Sequence, residues 1–180
     1  ISEAQIQSQL DVLNEDFRRL NTNKDNLWPQ AIDSEIEFSL ATQDPWGDAT
    51  CGITRTYTDS TKFYGKIGMK FNDSGGINGW PYTDNLNIWV CDLSGRLGFA
   101  TFPGGSNTDL DGIVCDYQAF GRIGDLKPDF NLGRTATHEV GHWLNLRHIW
   151  GDGDCFDDDF VSDTPNSDEA NYNCDVGHIS

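Results

Sequence analysis

The sequence predicts a mixed α/β (α+β) fold: a sheet backed by helices, with the reactive residues on the second helix. Three observations predict it. Ile6, Leu10, Leu13, Phe17 and Leu20 recur at helical spacing near the start. Short apolar runs punctuated by Gly, Pro, Asn and Asp fill the middle. A second helical pattern, Ala136, Val140, Trp143 and Leu144, follows them. Helices that bury one stripe and strands that bury one face solve that problem by packing on each other.

Ser2 to Leu20 reads as the first helix, with Ser2 as N-cap and Gln5 three residues on, the spacing of a capping box. Ile36, Phe38 and Leu40 alternate as in a strand, and residues 43–51 are loop. Ile53 to Thr58 is extended or loop, and Lys62 to Phe71 is strand-like. Asn72 to Pro81 is turn material holding one Asn-x-Ser sequon, on which no glycosylation is expected. Leu86 to Cys91 is a buried strand, Leu97 to Phe102 a short one ended by Pro103-Gly104-Gly105, and Gly112 to Tyr117 the next. Pro128 to Gly133 leads into the second helix, capped by Asn131 or Thr135.

That second helix carries the chemistry. The chain has four histidines, and three fall in His138-Glu139-Val140-Gly141-His142-Trp143-Leu144-Asn145-Leu146-Arg147-His148. Residues four apart on a helix share a face, so His138 and His142 aim at one point, a geometry that suits zinc. Glu139 lies beside them, within reach of a water held by such an ion. His138, His142 and Asn145 form one stripe, and the apolar residues form another. His148 joins the pair only if the chain reverses between 142 and 148. Asn145 suits that reversal, because Asn tolerates the left-handed conformation at a helix end.

A net charge of −17 leaves no basic patch for a nucleic-acid backbone. It suits bound cations, cationic partners or the soluble surface of a secreted protein. No apolar run is long enough to span a membrane. There is no signal-peptide pattern and no initiator Met, so a processed or trimmed chain is expected. Cysteines 51, 91, 115, 155 and 174 form no CxxC pair. They point to an oxidising compartment with disulfides, and their odd number to a free thiol or an outside partner. Cys51, Cys91 and Cys115 can pair in more than one way.

The pattern HExxHxxNxxH resembles the zinc signature of the metzincins, HExxHxxGxxH, with Asn in place of the usual Gly. The surrounding Asn131 to Asp152 resembles the pappalysin branch. So do Cys51-Gly-Ile-Thr-Arg-Thr, Leu86-Asn-Ile-Trp-Val-Cys, Phe99-Ala-Thr-Phe-Pro-Gly-Gly and Ser162-Asp-Thr-Pro. The resemblance implies a twisted, mainly parallel sheet with one antiparallel edge strand, a backing helix and an active-site helix. Residues 1–180 are then one metalloprotease catalytic domain. The edge strand matches Leu97, Gly98, Phe99, Ala100 and Thr101, and would bind an extended peptide by strand addition.

The implied activity is that of a secreted, monomeric zinc endopeptidase acting on protein or peptide substrates, with no nucleic-acid or membrane partner. A catalytic zinc keeps three protein ligands, here His138, His142 and His148, and one place for water. It lowers the water's pKa from about 15.7 towards about 7. Glu139 would be the general base and pass the proton to the leaving amine. Several relatives favour Arg or Lys after the cut.

The acidic loop Gly151 to Pro165 offers the hard oxygens calcium prefers, though not at EF-hand spacing. The resemblance implies structural calcium there, held by Asp159, Thr164 and the carbonyl near Ser162. It also implies a strand before the first helix, and a Met-turn with a Tyr beyond the zinc helix. The one methionine, Met69, lies far upstream. A section of a longer catalytic domain is therefore expected, with Cys155 and Cys174 bonded to cysteines past residue 180. Two other readings compete: a truncated or inactive zinc- or calcium-binding module, and a metal-dependent hydrolase of non-peptide bonds. Glu139 favours the peptidase, since a structural site has no use for a carboxylate beside its ligands and takes a fourth ligand instead.

Overall fold

The computed structural model describes residues 1–64, 67–153 and 156–170. It is mixed α/β, and the chain divides into two compact units, Ile1–Trp143 and Leu144–Ser180. The first unit holds, in order, α1 (Glu3–Phe17), β1 (Phe63–Tyr64), β2 (Ile88–Cys91), β3 (Leu93–Ser94), β4 (Gly98–Ala100), β5 (Ile113–Asp116) and α2 (Arg134–Trp143). No helix among the described residues is long and apolar enough to cross a membrane.

Ser2 caps α1 as expected, its Oγ accepting from the Gln5 amide at 3.1 Å. The helix ends at Phe17, one turn short of the expected Leu20. Arg19 takes φ +51°, so the chain turns off and leaves Leu20 66% exposed. The buried face also differs from the apolar repeat, comprising Gln5, Gln9, Val12 and Leu13. The Gln5 side chain does not complete the capping box. Its Nε2 donates to the Tyr117 and Phe120 carbonyls, each at 2.9 Å. Gln9 donates to the Gly133 carbonyl at 3.0 Å and accepts from the Gly121 amide at 2.6 Å. The two glutamines are buried because they satisfy backbone groups of the loops leading into α2.

Residues 36–40 alternate in burial but join no ladder. Asn14 of α1 takes the place of a neighbouring strand. Its Oδ1 accepts from the Phe38 amide at 2.7 Å, and its Nδ2 donates to the Phe38 carbonyl at 2.9 Å. Lys62 to Phe71 is not one strand either. β1 pairs in parallel with β3, Phe63 opposite Leu93, and Gly68–Lys70 then tightens into a 3-10 turn. The pairing strand β3 carried too short an apolar run to be read in the sequence.

The larger sheet has the order β2-β5-β4. β2 runs parallel to β5, with Ile88 opposite Ile113 and Cys91 opposite Asp116. β4 is the expected antiparallel edge strand, pairing Gly98 with Cys115 and Ala100 with Ile113. Side chains alternate across the sheet. Ile88, Val90, Ala100, Ile113 and Cys115 pack with Leu13, Phe120, Ala136 and Val140 of the helical side. Trp89, Cys91, Phe99 and Val114 pack with Met69 and Leu93 on the other.

That alternation decides the cysteines. Cys91 and Cys115 lie on opposite faces, and with Cys51 they are free thiols rather than the expected disulfide partners. Burial pushes the Cys91 thiol up to about 12 and the Cys115 thiol well above its usual range, so both are inert. Cys155 and Cys174 lie outside the described residues.

The second unit opens on a reversal: Asn145 takes φ +77°. Tight turns follow, with the Gly151 amide bonded to the His148 carbonyl at 3.0 Å and Asp152 at φ +66°. Arg147 lies over the Phe160 ring at 4.7 Å.

The Gln9 clamp makes a direct prediction. Gln9→Leu leaves the Gly133 carbonyl and Gly121 amide without their partner, and should cost about 2 kcal/mol or more in urea unfolding. Gln7→Leu, on the exposed face, should stay within about 0.5 kcal/mol of the parent. Equal stability of the two variants would contradict the clamp.

Candidate metal centre

Helix α2 is seated before it presents anything. It begins at Arg134, directly after Gly133 at φ +73°. Neither expected cap is used: Asn131 closes the 3-10 turn Pro128–Phe130, and Thr135 is inside the helix. A side chain at Gly133 would put its Cβ 2.9 Å from Val12 Cγ2 and 3.1 Å from Gln9 Oε1, so glycine is what lets α2 start against α1. Asp16 then grips the first turns, accepting from the Thr137 hydroxyl at 2.7 Å and pairing with Arg134 at 2.9 Å. At the far end the Trp143 indole donates to Asp111 at 2.8 Å. Ala136 and Val140 are fully buried. Leu144 falls past the helix end and is exposed, so it does not extend the apolar stripe.

His138 and His142 occupy the other side, as their spacing requires. Their Nε2 atoms lie 2.9 Å apart, with ring centroids at 4.5 Å and planes at 86°. Two nitrogens about 2.0–2.1 Å from one tetrahedral ion would sit about 3.3 Å apart, so the pair stands close to a shared-ligand geometry. The His142 ring also packs on Phe102 at 5.1 Å.

Glu139, between the histidines and the core, is 6% exposed. Burial raises its pKa to about 7, opposed in part by the charge of Arg96. A bound dication would favour the carboxylate form again. The carboxyl lies against the sheet edge. A Cβ at Gly98 would be 2.8 Å from Glu139 Oε1 and 2.9 Å from both Glu139 Cγ and the Val114 carbonyl oxygen. The small residues Gly98 and Ala100 thus let the edge strand approach α2.

In the second unit, His148 stacks on Trp150 at 4.3 Å, and its Nδ1 lies 2.5 Å from Asp152. A carboxylate on Nδ1 fixes the ring and selects Nε2 as the atom a metal would take. Asp152 was missed in the sequence reading; its signal was the spacing of four from His148. Asp159 is buried and its Oδ1 accepts from the Val161 amide at 2.9 Å. Ser162 is exposed, and the Thr164 amide bonds to the Val161 carbonyl at 3.0 Å. Leu97 to Thr101 lies on and around the edge strand: the Leu97 carbonyl accepts from the Asp116 amide at 2.7 Å, and the Thr101 amide donates to Gly112 at 3.1 Å. By the alternation of an antiparallel ladder, Gly98 and Ala100 then turn their N–H and C=O groups to the outer edge.

Residues 78–179 match the profile of the peptidase family described as pregnancy-associated plasma protein-A. An extracellular metalloprotease of Colletotrichum graminicola is 31% identical over 183 residues, covering 98% of this chain and 55% of its own length. One from Pyricularia oryzae is 32% identical over 187 residues, covering 100% of this chain and 55% of its own. The chain thus spans about half the length of these curated relatives. Among solved structures, Tannerella forsythia mature mirolysin in complex with a cleaved peptide is similar at 48% identity, with a TM-score of 0.90. That match covers 95% of this chain and 67% of the other.

The contact of Glu139 with the sheet edge can be tested by size alone. Gly98→Ala adds one methyl group where the carboxyl and the Val114 carbonyl already lie. It should cost about 1–3 kcal/mol by denaturant unfolding. A Gly98→Ala protein as stable as the parent would show that the strand does not lie so close.

Proposed function

Because this chain belongs to the pappalysin metalloproteases, the family described as pregnancy-associated plasma protein-A, we propose that it is a zinc-dependent endopeptidase hydrolysing internal peptide bonds. The observation that carries this reading is the convergence of the His138 and His142 Nε2 atoms at 2.9 Å, on the helix that buries Glu139 beside them. Neutral imidazole nitrogens are the donors zinc prefers. His148 is the proposed third ligand. Two local features support it: the left-handed turn at Asn145 and the Asp152 carboxylate on His148 Nδ1.

Bound there, zinc supplies Lewis acidity, making water acidic and drawing electrons from a carbonyl oxygen. The remaining roles belong to the chain. Glu139 takes a proton from the attacking water and delivers it to the amine that leaves. Its buried setting suits a group that must gain and lose a proton near neutrality. The edge strand around β4, Leu97 to Thr101, receives the substrate as an added strand, and the outward groups of Gly98 and Ala100 support that role. A preference for Arg or Lys after the cut, and secretion from the cell, are parts of the same proposal. Relatives named as extracellular metalloproteases support the latter. The two units are read as parts of one catalytic domain. Asp159, Thr164 and the Ser162 carbonyl are proposed to hold a structural calcium in the acidic loop, where oxygen donors and tight turns support such a site.

Hydrolysis of casein should stop with a zinc chelator and return with added zinc. Chelator-insensitive hydrolysis would overturn the reading. Glu139→Ala should retain its zinc and lose about 10²- to 10⁴-fold in turnover; a variant with turnover close to the parent's rejects Glu139 as the base. Removing calcium from zinc-loaded protein should lower Tm while zinc content stays constant, whereas an unchanged Tm counts against the calcium site.

A further inference from the structure

Lys70 is the most buried cation among the described residues, only 1% exposed, and nothing in the proposed chemistry uses it. It sits behind the larger sheet, on the face away from the helices. Its Nζ donates to the Thr101 hydroxyl at 3.2 Å and, through a short bond, to the Leu110 carbonyl. The same ammonium lies 4.7 Å from the Trp89 ring centroid and 5.6 Å from that of Phe99. Phe99 belongs to β4, Thr101 follows it directly, and Leu110 lies near the end of the loop that returns to β5. One side chain therefore touches the edge strand, its exit and the far end of its loop. The next residue, Asp111, accepts from the Trp143 indole of α2. The loop is thus pinned from behind by Lys70 and from the front by the helix that carries His138 and His142.

We propose that Lys70 is a positioning residue for substrate: it holds β4 and the loop leaving it in the register that an incoming extended peptide needs. This rests on the reading of β4 as the peptide-binding strand.

Stability alone does not account for the lysine. Thr101 itself donates to the Leu110 carbonyl at 2.5 Å, so that carbonyl keeps a partner without Lys70. Burial lowers the pKa of Lys70 to about 8 against the opposing charge of Asp111. Between that value and the ordinary lysine range the folded chain binds fewer protons than the unfolded one, so stability from this group rises with pH. At neutral pH the charge therefore counts against the fold. Replacing Lys70 by Met removes a charge that burial disfavours and leaves the Leu110 carbonyl bonded to Thr101. What Lys70 contributes is location.

The test compares the parent with Lys70→Met on two fluorogenic peptides. One extends several residues before the cut and can lie along β4; the other has a single residue there. In the parent the long peptide should show the lower KM. Lys70→Met should raise KM for the long peptide about tenfold, the scale of a lost anchoring interaction. KM for the short peptide, kcat and zinc content should stay within about twofold, and Tm should be little changed, since a lost hydrogen bond is offset by a charge no longer buried. If Lys70→Met does not fold, Lys70→Leu removes the same tether and should give the same KM pattern. An unchanged long-peptide KM, or a fall in kcat on both peptides together with Tm, overturns the proposal. A parent enzyme that treats both peptides alike overturns the strand reading instead, and the Lys70 role with it.

Discussion

Two imidazoles meet at one point only if the turn of helix that carries them cannot shift. The seating of α2 is the constraint on which the rest of this molecule depends. Its buried side is fixed by Ala136 and Val140 against the sheet, its start by Gly133 against Val12 and Gln9, and its end by the Trp143–Asp111 bond. With those contacts in place, the fold sets the backbone that carries His138 and His142, as the proposed zinc site requires.

The same seat brings the carboxyl and the sheet edge together. Gly98 puts no side chain between β4 and Glu139, so the proposed base and the proposed peptide-binding strand are in contact. A substrate added to that strand would lie beside the base. Charged groups are buried on both sides of this strand, Glu139 in front and Lys70 behind. Both have pKa values shifted by burial towards neutrality. Buried charges weaken a fold unless something else retains them, and here both border the strand that would hold substrate.

Much of this was legible in the sequence, for identifiable reasons. The His pair followed from helical periodicity, and the Asn145 reversal from the one residue there suited to positive φ. β2, β4 and β5 were visible as apolar runs, because buried strands are short and nearly continuous in apolar residues. What stayed hidden were contacts made across long separations by residues with no local signature. Gln5 and Gln9 interrupt the apolar stripe of α1 because they serve loops more than a hundred positions away. Residues 36–40 had the alternation of a strand, but a helix asparagine satisfied the backbone instead. The cysteine count suggested bridges, yet the pleat sends Cys91 and Cys115 to opposite faces. Lys70 likewise carries no local signature of its burial.

The claim that three imidazoles share one zinc is tested most directly by zinc K-edge X-ray absorption on the purified, metal-loaded protein. The expected spectrum has three nitrogen scatterers at about 2.0–2.1 Å with an oxygen completing the shell, and His148→Ala should lose one nitrogen. A parent spectrum fitted by two nitrogens, or one with sulfur at about 2.3 Å from a cysteine ligand, would contradict it.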